Sequence, residues 1–139
     1  MAASDQADTP VKPIPFTGQL PGLVQKAWDE VRSIVSSLPT PTDGTIATFE
    51  PSAACKVVID WIHAEVNPAD KSYSKSWGYV YFPGTSLIGR TPTAFVPLDI
   101  LGTGEIGSEI VRDGFYNQVF QLSTMKVSEN GRVAGLVLL

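Results

Sequence analysis

Met125-Lys126-Val127-Ser128-Glu129-Asn130-Gly131-Arg132-Val133-Ala134-Gly135-Leu136-Val137-Leu138 is the stretch on which the fold class turns. Asn-Gly suits the two positive φ values of a type I′ turn, and apolar residues flank it on both sides. The spacing predicts a β-hairpin in which Glu129 faces Arg132, Val127 faces Ala134 and Met125 faces Leu136. The charged pair closes the exposed end and the apolar pairs lie deeper. Leu138-Leu139 ends the segment on apolar side chains that are costly to leave in water.

Other extended segments precede it. Ser76-Trp77-Gly78-Tyr79-Val80-Tyr81-Phe82 is aromatic and β-prone, and Pro83-Gly84 ends it. Thr93-Ala94-Phe95-Val96 opens another strand. Pro97 interrupts it, which points to an edge strand or a bulge. Phe115 to Leu122 reads as a further strand, and Thr45 to Glu50 alternates as a short one.

Residues 53–66 support two readings. As a helix, Ala54, Val57, Val58, Trp61, Ile62 and Val66 share a face, with Ser52 as cap. As a strand, Cys55, Val57, Ile59 and Trp61 oppose Lys56 and Asp60. The β-branched Val57, Val58, Ile59 and Ile62 tip the expectation to a strand paired with residues 76–82.

Residues 23–38 carry the clearest helical period. Val24, Ala27, Trp28, Val31, Ile34, Val35 and Leu38 recur at three- and four-residue steps, opposite Gln25, Lys26, Asp29, Glu30, Arg32, Ser33 and Ser36. Pro21 and Gly22 precede the helix and Pro39 stops it. Residues 1–20 hold Pro10, Pro13 and Pro15 without any period and read as a flexible Pro-rich arm. The expected fold class is α+β: mainly antiparallel β, sandwich- or barrel-like, with one N-terminal amphipathic helix. Residues 21–139 are expected to form one globular domain.

Composition excludes several classes. Charged residues are 17% of the 139 and mean hydropathy is +0.08, so the chain can build a core. The net charge of −4 argues against a basic nucleic-acid binder. One cysteine and one histidine exclude a disulfide framework, a multi-cysteine zinc site and a multi-histidine metal centre. No metal or cofactor is expected. There is no signal-peptide pattern and no apolar run long enough to span a bilayer, so a virion or cytoplasmic location is expected.

Few motifs carry chemistry. Gly102-Thr103-Gly104-Glu105-Ile106-Gly107 has G-x-G-x-x-G spacing, but Pro97 sits in the strand that a dinucleotide fold needs before it. A glycine-rich surface loop fits better. Asp60 and His63 meet only on a helix, and Cys55 with His63 is the other nucleophile–base pair available. Nothing resembles G-x-S-x-G. Lys71 and Lys75 flank Tyr73 and precede Trp77, a weak candidate for nucleic-acid contact.

The low charge, the arm and the missing catalytic motifs favour a non-enzymatic, self-assembling structural protein. The composition resembles that of small β-sandwich coat proteins: Thr, Ser, Pro and Gly in loops between short aromatic strands. That resemblance implies a viral capsid or virion subunit whose partners are copies of itself. Ile14, Phe16, Phe82, Leu87, Ile88 and Leu101 are the candidate assembly contacts. The near-neutral arm departs from the basic arm with which many coats neutralise their genome. The alternatives are a small protein- or ligand-binding accessory module, whose pocket the run Trp77 to Phe82 would line, and a small enzyme using Asp60 and His63.

Overall fold

The computed structural model describes residues 10–42, 44–65, 75–89 and 93–139. In chain order the elements are β1 (Val11–Pro15), α1 (Leu20–Ser37), β2 (Ile46–Phe49), α2 (Ala53–Glu65), β3 (Ser76–Tyr81), β4 (Gly84–Ile88), β5 (Thr93–Leu101), β6 (Gly104–Ile106), β7 (Glu109–Ile110), β8 (Phe115–Val119), β9 (Ser123–Val127) and β10 (Arg132–Leu138). The fold is α+β with two antiparallel sheets. One has six strands in the order β1-β8-β5-β10-β3-β2, and the other has four, β4-β9-β6-β7.

Both faces of the large sheet are covered, and this gives three layers. On one face Leu20, Val24, Ala27, Val31 and Val35 of α1 pack with Ala54, Cys55, Val58, Ile59 and Ile62 of α2 against Val80, Val96, Tyr116, Ala134, Leu136 and Leu138. On the other, Tyr81, Phe95, Val119, Val133 and Val137 meet Ile88, Ile106, Met125 and Val127 of the small sheet. These two apolar interfaces take up much of the chain's hydrophobic content.

Local chemistry sets the helix ends. Pro21 occupies the first turn of α1, where its missing N–H costs nothing. Leu38 is extended (ψ 129°) because Pro39 disfavours helical backbone before it. At the start of α2, the Cys55 N–H donates to Ser52 Oγ (3.3 Å) and the Ala54 N–H to Glu30 Oε1 (3.1 Å). Glu30 therefore anchors α2 to α1. Its carboxyl is held below the ordinary range by the Ser52 hydroxyl first and the Ala54 N–H second.

Several expectations are corrected. Residues 53–65 are helix, not strand: Ala54, Cys55, Val58, Ile59 and Ile62 are buried at helical spacing, and the packing of that face outweighs β-branching. The chain thus has two helices among the described residues. The hairpin at Asn130-Gly131 does not form. β9 pairs with β4 and β6 of the small sheet, while β10 pairs with β3 and β5 of the large one. The turn closes one residue earlier, with the Gly131 N–H donating to Ser128 O (2.8 Å). Asn130 then sits at the third turn position with φ 66°, where a type II turn needs a left-handed residue. The turn carries the chain from one sheet to the other.

Val11–Pro15, in the segment expected to be an arm, is an edge strand paired antiparallel with β8 of its own sheet. Pro97 falls at the expected bulge. Ala134 pairs with Asp99 and Gly135 with Pro97, leaving Leu98 as the extra residue. Pairing of β5 with β8 runs only from Thr93 to Phe95, so the missing Pro97 N–H leaves no ladder bond unmade on that side.

Candidate functional site: a cavity between the sheets

Period-two alternation decides what β3 offers. Gly78 and Val80 face the helices, and Phe49 lies so close over Gly78 that an added Cβ would sit 2.6 Å from its ring. Trp77, Tyr79 and Tyr81 therefore share the opposite face, toward the small sheet. Tyr81 stands edge-on to Tyr79 (6.0 Å, 85°) and to Phe95 (5.8 Å, 74°). Ile46 of β2 pairs with Tyr81, and Val137 of β10 pairs with Trp77.

Above this aromatic face lies a cavity of about 430 Å³, lined by Ile46, Tyr79, Tyr81, Leu87, Ile88, Gly89, Leu122, Val137 and Leu139. Its floor is sealed, with Tyr81, Val137 and Ile88 at most 4% exposed. Its rim is open, with Leu87 65% and Leu122 55% exposed. The hydroxyls of Thr45 and Ser86 hydrogen-bond to each other and tie the sheets together beside Ile46 and Leu87. Phe82 N–H adds a 2.7 Å bond to Thr45 O. Burial pushes the Tyr81 phenol far above its ordinary pKa, with Tyr79 adding to the shift, so Tyr81 is a proton donor at any physiological pH.

A second groove runs beside α1 between Trp28, Arg32, Asp99 and Asp113. Burial raises the Asp99 carboxyl first, Arg132 and Arg32 oppose that, and Asp113 reinforces it.

The structure separates the residues singled out from sequence. Of the six assembly candidates, Phe82 and Ile88 are buried, at 6% and 4% exposure, and cannot form an outer contact. Ile14 and Phe16 are half-buried against the helix-side core, where Phe16 stacks on Tyr116 (6.5 Å, 19°). Leu87 lies on the cavity rim, and Leu101 is exposed at the end of β5. Lys71 lies outside the described residues. Lys75 is exposed and its backbone exchanges hydrogen bonds with Leu139 (3.0 and 2.7 Å). Cys55, Asp60 and His63 are all on α2, across the large sheet from the cavity. The Gly102–Gly107 segment enters the short β6–β7 hairpin, with Gly107 at φ 62°, and precedes no helix among the described residues. It offers no helix N-terminus to a phosphate. The aromatic alternation of β3 was visible in the sequence; Ile46, Leu122 and Val137 join it only through the sheet topology.

No family model matches the chain, and no curated protein matches its sequence. Among solved structures it is similar to a prolyl-4-hydroxylase of Pseudomonas putida. Identity is 14%, the match covers 97% of this chain and 94% of that one, and the TM-score is 0.58. At that identity the likeness is one of fold. It overturns the expectation of a viral coat subunit, and with it the capsid and virion assignment and the expected absence of enzymatic activity. The fold spanning the chain resembles that of this hydroxylase.

Non-haem iron(II) oxygenases hold their metal with two histidines and one carboxylate. The residues here do not fit that set. The sequence has one histidine, and it lies on α2. Among the described residues no three His, Cys, Asp or Glu side chains come together, and none lines the cavity. No described helix is long and apolar enough to cross a membrane.

Proposed function

We propose that the chain is a small-molecule-binding protein on an oxygenase-type fold, taking an apolar ligand into the cavity between its two sheets. The observation that carries this reading is the cavity itself. It has a sealed aromatic and aliphatic floor, an open leucine rim and a volume of about 430 Å³, within the range of small-molecule sites. Apolar surface turned toward water at the rim is costly to leave uncovered, and a bound ligand covers it.

The test is titration with the neutral fluorophore N-phenyl-1-naphthylamine. Saturable one-to-one enhancement is expected. It should be lost in Ile88→Trp and Leu122→Trp, which fill the floor and the rim, and retained in Ile34→Ser, on the exposed side of α1. Enhancement that is absent, or indifferent to both filling variants, would refute the reading.

A further inference from the structure

We propose that the ligand is a neutral, ring-bearing molecule with one hydrogen-bond-accepting oxygen, and that the phenols of Tyr79 and Tyr81 select it. This rests on the cavity reading above and adds the ligand's chemical class.

Three observations lead there. First, the phenols of Tyr79 and Tyr81 are the polar side-chain groups of the described lining, and every other lining side chain is aliphatic or absent. A carboxylate or phosphate would shed its hydration against hydrocarbon with no described cation lining the cavity to meet it. Second, the Tyr79, Tyr81 and Phe95 rings stand nearly perpendicular in sequence, at 85° and 74°. A planar ring set against such a ladder continues the edge-to-face packing. Third, Tyr81 is 1% exposed, yet its side chain lines the cavity, so its ring is fixed before any ligand arrives. A donor fixed in advance in an apolar setting discriminates between an acceptor and its hydrocarbon isostere, because an unmatched polar group there loses its hydrogen bond.

The experiment compares indane with 1-indanone, a pair differing in the carbonyl, by calorimetric titration of the intact chain. In the wild type the ketone is expected to bind relatively better. In Tyr79→Phe/Tyr81→Phe the ketone-to-indane affinity ratio should fall about fivefold, while indane affinity stays within about twofold. An unchanged ratio with both compounds bound overturns the selection by phenols and leaves the cavity reading standing. Failure of both compounds to bind the wild type overturns the cavity reading, and this proposal with it. Tighter binding of indane-2-carboxylate than of the ketone overturns the neutral class.

Discussion

Gly135→Ala is expected to destabilise the fold through contacts that can be named in advance. Gly135 lies in β10 opposite Pro97, just past the bulge. A Cβ there would stand 2.5 Å from Val96 O and 2.6 and 2.7 Å from two atoms of the Phe95 ring. The carbonyl cannot retreat without disturbing the β5–β10 ladder. The ring is fully buried and held edge-on by Tyr81, so it has no free rotamer to take. Overpacking of this kind costs about 1–3 kcal/mol. For a chain of this size 1 kcal/mol corresponds to roughly 3–4 °C, so the melting temperature should fall by about 3–12 °C. Circular-dichroism melts of the wild type, Gly135→Ala and Gly135→Ala/Phe95→Leu test the reasoning. The double variant relieves the ring but not the carbonyl, so it should recover only part of the loss. The same substitution at Gly22 should act in the opposite direction. Nothing lies within 4 Å of its added Cβ, and alanine favours helix α1 by about 0.5–1 kcal/mol. A Gly135→Ala protein melting within 1 °C of the wild type would refute the account of β5 and β10.

Further outcomes follow from the same structure. Asn130→Gly should leave stability nearly unchanged, while Asn130→Val should cost about 1–3 kcal/mol in denaturant melts, because φ 66° is strained for a β-branched residue. Glu30 has a folded-state pKa below its unfolded one. Its contribution is therefore present above the unfolded value and is lost as pH falls through the folded value; Glu30→Gln should flatten acid melting curves in that range. Asp99 has the opposite sign. Its raised pKa makes the charged form a liability that is relieved on acidification, so Asp99→Asn should stabilise at neutral pH, and the gain should vanish as pH falls through the raised value. Cys55 is fully buried and should react with a thiol reagent only in denaturant, as read by absorbance.

The sequence showed local structure better than partnership. The strands at Ile46–Phe49, Ser76–Tyr81 and Phe115–Val119 each declared themselves by alternation or aromatic content. Ala53–Glu65 was ambiguous because a helix buried along one face can be rich in β-branched residues. Packing against the sheet, absent from any local window, chose between the readings. Asn130 marked a turn correctly, but whether β9 and β10 pair or part depends on β4, β6, β3 and β5. The cavity was half legible. Tyr79 and Tyr81 follow from the β3 alternation, while Ile46, Leu122 and Val137 come from elements remote in the chain. Phe82 and Ile88 looked like surface residues beside Pro83-Gly84 and Gly89, yet both are buried. The low charge accompanies two internal apolar interfaces, while Ile34, Val57, Trp77, Leu87 and Leu122 stay exposed.

Methyl-labelled NMR with 1-indanone as titrant tests the central claim most directly, because the cavity is lined by methyl-bearing residues from several elements. The account predicts saturable shifts at Ile46, Leu87, Ile88, Leu122, Val137 and Leu139, and none at Ile34 or Val57 on the outer side of the helices. Saturable shifts confined to the helical layer, or no shifts in the lining methyls at saturating ligand, would contradict it.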